Sequence, residues 1–183
     1  MSAVWVLLPV LGAALLHAPV LALDLFPAVK RPLDGGRKWR GVRLFGDNKT
    51  WRGALLMTTG VWLATIALWH WPWWRGQLPG EVRDAGAVLV GMLLGLGTVL
   101  GELPNSFLKR RMGLAPGQQR RSAAGLLLSV YDQGDFVFGI WVLLLPVWVM
   151  SVPQAAFAFV VVVAAHLVIN VIGYAIGARA API

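Results

Sequence analysis

Residues Ser2 to Leu23 contain no Asp, Glu, Lys or Arg, and about 20 mostly apolar residues are what a helix needs to cross the hydrocarbon core of a bilayer. Further uncharged runs follow at Gly53–Trp71, Ala85–Gly101, Phe136–Met150 and Ala155–Gly177. A backbone in lipid must satisfy its own hydrogen bonds, so such runs fold as helices. Charged residues make up only 13% of the chain and hydrophobic ones 58%, against about a quarter charged in soluble domains. The expected fold is all-α, an integral membrane bundle of five transmembrane helices in a single domain, 1–183. The expected spans are about 2–23, 53–71, 85–104, 135–151 and 154–177, with two large loops at 24–52 and 105–134. The first run has no cation at its start and no small-x-small site before Asp24, so it reads as a retained span and not a cleaved leader.

The placement of cations orients the bundle. Loop 24–52 holds Lys30, Arg31, Arg37, Lys38, Arg40, Arg43, Lys49 and Arg52, loop 105–134 holds Lys109, Arg110, Arg111, Arg120 and Arg121, and the tail holds Arg179. With five spans these fourteen of the sixteen Lys and Arg fall on one side, which the positive-inside rule makes cytoplasmic. The N-terminus is then outside and the C-terminus inside. A formal charge of +8 would suggest nucleic acid for a soluble chain; here most cations set topology and meet anionic lipid headgroups, and no nucleic-acid partner is expected. Trp69, Trp71, Trp73 and Trp74 have the pattern of an interfacial aromatic belt. The absence of Cys excludes disulfides, thiolate ligands and a cysteine nucleophile.

The polar residues that could carry chemistry gather at span ends. Glu102, Asp132 and Asp135 fall at the ends of spans three and four, where two or three carboxylates suit Mg²⁺ with substrate phosphate completing its octahedron. In a continuous helix Glu102, Asn105 and Ser106, and Lys109 would share one face, although Pro104 interrupts it. The competing reading makes Asp132 the N-cap and Asp135 the N3 residue of span four. In the first loop Lys49, Thr50 and Arg52 can meet phosphate as a point charge, a hydroxyl and a planar fork. The loop lacks the GxxxxGK[ST] spacing of a P-loop. Gly91, Gly95, Gly97 and Gly101 give GxxxG spacings that serve contacts within one chain or in a homodimer. His166, Asn170 and Tyr174 form a polar stripe read as interhelical hydrogen bonding, and His17 and His70 receive no role. No Ser/His/Asp triad or zinc-type cluster has convincing spacing.

Four blocks in order, KRPLDGGRKWRGVRLFGDNKTWRG (Lys30–Gly53), GELPNSFLKRRMGLAPG (Gly101–Gly117), DQGDFVFG (Asp132–Gly139) and HLVINVIGYAIG (His166–Gly177), resemble the CDP-archaeol synthase family. These are membrane nucleotidyltransferases related in chemistry to the CDP-diacylglycerol synthases. The resemblance, to a bacterial-type member, implies five helices in the cytoplasmic membrane and a cytoplasmic active site. It also implies CTP and Mg²⁺ as partner and cofactor, and conversion of a lipid phosphate to a CDP-lipid with release of pyrophosphate. It implies catalytic roles for Asp132, Asp135 and Lys109 and metal contacts for Glu102, Asp132 and Asp135. Substrate contacts are implied for Asp34, Gly35, Gly36, Lys49, Thr50, Arg52, Asn105, Ser106, Arg110 and Arg111. Glu102 stands where the archaeal pattern has Asp, and Val130–Tyr131 where it has a Pro. The rival readings are a non-catalytic lipid-phosphate-binding protein of the same fold and a small transporter.

Overall fold

The computed structural model describes residues 2–115 and 123–175. Arg120, Arg121 and Arg179, with the last two positions of the expected fifth span, lie outside the described residues. Helices α1 (Ser2–Leu7) and α2 (Leu11–Ala22) are joined by a 3₁₀ turn around Pro9 into one apolar stretch. A loop carrying the strands β1 (Lys38–Trp39) and β2 (Val42–Arg43) leads to α3 (Trp51–Trp69) and the short α4 (Pro72–Gly76). Then come α5 (Gly80–Arg111), α6 (Ala123–Asp132), α7 (Asp135–Leu144) and α8 (Val152–Ala175). Among the described residues four helices are long and apolar enough to cross a membrane: Ser2–Ala22, Trp51–Trp69, Gly80–Arg111 and Val152–Ile172.

Three expectations change. The fourth span, expected at 135–151, is a helix of only 10 residues, which rises about 15 Å against a hydrocarbon core of about 30 Å. After Leu144 the chain turns back, with Val147 and Trp148 N–H on the Leu144 carbonyl (both 2.8 Å) and the Trp141 indole on Met150 O (2.8 Å). The second loop, expected at 105–134, is helical at both ends, because α5 continues through Pro104 to Arg111 and α6 fills 123–132. A proline deletes one donor, which a packed membrane helix tolerates. The chain is also not purely helical: β1 and β2 pair antiparallel, Trp39 opposite Val42. Arg40 and Gly41 between them both have positive φ (51° and 79°), the two-residue turn that matches hairpin twist.

Helix α5 is the axis of the fold, and its glycines set how closely its neighbours approach. A Cβ on Gly95 would lie 2.6 Å from Thr58 O of α3, whereas one on Gly97 or Gly101 would lie 2.6 Å from Ile140 Cα or Phe136 Cα of α7. The two GxxxG pairs thus pack opposite faces of α5 within one chain, without a hydrophobic driving force that lipid itself would supply equally. Gly60 of α3 similarly abuts Gly12 and Ala13 of α2. Val61, Leu94, Ile140, Leu144 and Trp74 fill the core. Buried hydroxyls are satisfied locally, Thr65 on Val61 O and Thr98 on Leu94 O (both 2.8 Å).

Candidate active site at one end of the bundle

The first loop is built around Asp34, which is 5% exposed. Its carboxylate accepts from Arg43 Nη2 (2.6 Å) and Nε (3.3 Å) and from the N–H groups of Gly36 (3.0 Å), Phe45 (3.1 Å) and Gly46 (3.3 Å). Desolvation opposes ionisation here, but these donors together outweigh it and hold the carboxyl well below the usual carboxylate range. The loop is tied to α3 by Leu33 N–H on Lys49 O (2.8 Å) and Trp51 N–H on Arg31 O (2.9 Å). It is tied to α5 by Arg111, whose guanidinium donates to the carbonyls of Trp39 (2.6 Å), Val42 (2.9 Å) and Arg43, while the Trp39 ring stacks on Phe107. The consequence is that Lys49, Thr50 and Arg52 are delivered to the end of α5 that carries Glu102.

Lys49 forms an ion pair with Glu102 across 53 positions of sequence. Arg52 donates to Asp24 Oδ1 (2.6 Å) and Leu25 O (2.8 Å), and bonds from Arg52 and then Lys30 lower the Asp24 pKa. Thr50 caps α3 through the Gly53 N–H (3.1 Å). Lys49, Thr50 and Arg52 line a cavity of about 460 Å³ with His17, Asn48 and Glu102, beside apolar wall residues such as Leu21, Leu33 and Val99. A second, largely apolar cavity of about 360 Å³ between α2, α7 and α8 shares His17, Met57 and Glu102 with it and ends at Asp132 and Asp135. A chamber carrying charged groups and an apolar groove therefore meet at His17, Met57 and Glu102, the shape an amphiphilic substrate requires.

Asp132 ends α6 and Asp135 begins α7. The N-cap of α7 is Gly134, with no side-chain cap, so neither acid plays the capping role that was the alternative from sequence. Asn105 Nδ2 bridges them, donating to Asp132 Oδ1 (2.7 Å) and Asp135 Oδ2 (2.8 Å), and Lys109 Nζ donates to Asp132 Oδ1 (2.6 Å). The face Glu102–Asn105–Lys109 is continuous, since Pro104 leaves α5 helical. Asn105 Oδ1 is buried with no hydrogen-bond partner. Two carboxylates beside an unpartnered amide oxygen fit a hard divalent cation, which takes a few oxygen ligands and completes its shell with water and phosphate. Glu102 is engaged by Lys49, and no group of three or more His, Asp or Glu that could hold a metal forms among the described residues.

The remaining candidates divide. Asp34, Gly35 and Gly36 line neither cavity; Asp34 organises the loop. Ser106 is buried and also lines neither. Arg111 is committed to the hairpin carbonyls. The side chain of Arg110, a residue 7% exposed, makes no hydrogen bond or ion pair with another described residue, and its buried Nε is unpartnered. It faces a separate cavity of about 380 Å³ with Lys38, Arg43 and Asp47. Sequence reasoning passed over His17, which the fold places on the wall between chamber and groove; an ionisable residue in an apolar span is the signal that marks it. In the polar stripe of α8, His166 and Asn170 meet Gln133, whereas Tyr174 is exposed.

A family model described as CarS-like, CDP-archaeol synthase, matches residues 1–182. A CDP-archaeol synthase of Halobacterium salinarum is 34% identical over 98% of this chain and 94% of its own length. Those of Methanosarcina mazei (34%, 83% of this chain and 90% of the relative) and Halorubrum lacusprofundi (38%, 83% of each) are similar. In fold the chain is similar to a solved intramembrane enzyme for archaeal membrane lipids biosynthesis, with a TM-score of 0.67, 23% identity and 92% of each chain covered.

Proposed function

This chain belongs to the CDP-archaeol synthase family, and from that footing we propose that it is a CTP:lipid-phosphate cytidylyltransferase working at the cytoplasmic face of a membrane-embedded helical bundle. The observation that carries the reading is the junction of the two cavities. Phosphate-sized cationic lining (Lys49, Arg52) opens at His17, Met57 and Glu102 onto an apolar groove ending at Asp132 and Asp135. A soluble nucleotide and a membrane lipid can meet at such a junction.

In the proposed reaction a lipid phosphate oxygen attacks the α-phosphorus of CTP in line. The new P–O bond forms as the α–β phosphoanhydride bond breaks, and pyrophosphate departs with the electron pair. Lys49 and Arg52 receive phosphate charge, exchanging part of their internal pairing with Glu102 and Asp24 for ligand oxygens. Asn105 holds the Asp132 and Asp135 carboxylates side by side, and Lys109 balances the charge on Asp132. Asp132 and Asp135 would hold Mg²⁺, which when bound would supply neutralisation of the triphosphate. No side chain acts as nucleophile; catalysis is positioning and electrostatics. Purified protein in mixed micelles with Mg²⁺, CTP and diether, diacyl or polyprenyl phosphates is expected to form CDP-lipid and one pyrophosphate per turnover. Absence of CDP-lipid from every lipid phosphate would overturn this function.

A further inference from the structure

The turn between α6 and α7 is held from two sides. Asn105 grips the two carboxylates from α5. From the opposite side α8 presents Phe159, Val163, His166 and Asn170, spaced so that they fall on one helical face. Gly134 leaves no gap there: a Cβ would lie 2.7 Å from the Phe159 ring and 3.1 Å from Val163. Beyond this packing both polar residues of the face converge on Gln133, which sits between the two acids. His166 Nδ1 lies against the Gln133 carbonyl oxygen, a contact that makes Nδ1–H the donor. Its ring meets Phe136, in the first turn of α7, edge-on at 5.9 Å. Asn170 Nδ2 donates to Gln133 Oε1 (3.1 Å), and Gln133 Nε2 donates on to Ser129 O of α6 (3.3 Å). A His and an Asn inside an apolar helix are costly, and both contact Gln133, one of the two residues that separate Asp132 from Asp135.

We propose that His166 and Asn170 are positioning residues: through Gln133 they fix the relative placement of Asp132 and Asp135 and so the affinity of that pair for a divalent cation. The inference rests on reading those two carboxylates as the metal-binding pair. Outer partners that orient ligands typically change metal affinity or activity by about 10- to 100-fold.

The test is Mn²⁺ binding to the full-length protein in micelles, followed by electron paramagnetic resonance without nucleotide, alongside thermal unfolding and steady-state kinetics. His166→Ala and Asn170→Ala are expected to weaken Mn²⁺ binding about 10- to 100-fold. They should lower kcat similarly while KM for CTP barely moves. His166→Asn, which restores a donor toward the Gln133 carbonyl, should recover most of both. His166→Ala that lowers the unfolding temperature but leaves Mn²⁺ affinity and the kcat of folded protein unchanged would reduce His166 to a packing residue and overturn the proposal. Wild-type protein that binds no Mn²⁺ overturns it as well, whether or not CDP-lipid forms. Wild-type protein that binds Mn²⁺ yet makes no CDP-lipid defeats the catalytic reading instead, and the variants' Mn²⁺ affinities then decide the positioning role.

Discussion

Replacing Gly101 with alanine adds one methyl group at the contact that places Asp135. The new Cβ would stand 2.6 Å from Phe136 Cα and 2.8 Å from Asp135 O, whereas non-bonded carbons settle at about 3.5–4.0 Å. Both obstacles are backbone, so no rotamer change relieves them, and α7 must retreat from α5 by about 1 Å. Overpacking of this kind costs about 1–3 kcal/mol. The larger effect is on chemistry, because the retreating helix carries Asp135 away from Asn105, and a misplacement of about 1 Å can cost about 10²-fold in rate. Gly95→Ala is the control: its Cβ would lie 2.6 Å from Thr58 O on α3, on the face of α5 that packs α3 and not on the one that packs α7. Both variants should unfold at lower temperature in micelles. Only Gly101→Ala should lose turnover, measured as labelled CDP-lipid per folded protein at saturating CTP. Equal losses from both variants, or wild-type turnover by Gly101→Ala, would refute the idea that the α5–α7 approach sets the site.

Three other perturbations follow from named contacts. Asp34→Ala removes the acceptor of five hydrogen bonds and leaves Arg43 without its buried partner, an unpairing worth about 3–5 kcal/mol when fully buried and less here because Arg43 is partly exposed. Amide exchange at Gly36, Phe45 and Gly46 should quicken, and unchanged exchange would show that Asp34 does not hold the loop. Since its folded pKa is depressed, the Asp34 contribution is fully present above the unfolded carboxyl pKa of about 4 and is lost as pH falls through the lower folded value. The melting difference between wild type and Asp34→Asn should therefore be flat from about pH 5 to 8 and shrink only below about pH 4. Lys49→Met should weaken stability more than the double change Lys49→Met/Glu102→Gln, with a coupling energy of about 1–3 kcal/mol; additive effects would deny the pair. Arg111→Ala frees the hairpin from α5 and should speed tryptic cleavage between Arg37 and Arg43 severalfold, whereas an unaltered rate would show the hairpin to be held by other means.

What could be read from sequence depended on how local its cause is. The long spans were legible because an uncharged run of about 20 residues has one stable answer in lipid. The failure of Asp135–Leu144 to extend was not, since the chain turns back through the Trp141–Met150 bond and its packing on α5. Pro104 misled for the same reason: its local effect is to end a helix, and its surroundings in the bundle override that. The acids were found from composition and helix ends, but the grouping was not, because Glu102 takes Lys49 from 53 residues away and Asn105 selects Asp132 and Asp135. Arg110 and Arg111 are chemically identical neighbours, yet about 100° of helical rotation sends Arg111 to the hairpin carbonyls and leaves the Arg110 side chain with no partner among the described residues. His17 was visible only as an oddity in an apolar run until α2 brought it to the cavity wall.

The proposed function depends most on Asp132 and Asp135, bridged by Asn105 at the end of the apolar groove. Cytidylyl transfer from labelled CTP to a lipid phosphate should be measured for wild type, Asp132→Asn and Asp135→Asn, each shown to be folded by its melting temperature. The expected result is CDP-lipid from the wild type and a loss of at least about 10²-fold from each amide variant, since the amide keeps one oxygen and no negative charge with which to hold a cation. Turnover by folded Asp135→Asn within a few-fold of wild type would contradict the account.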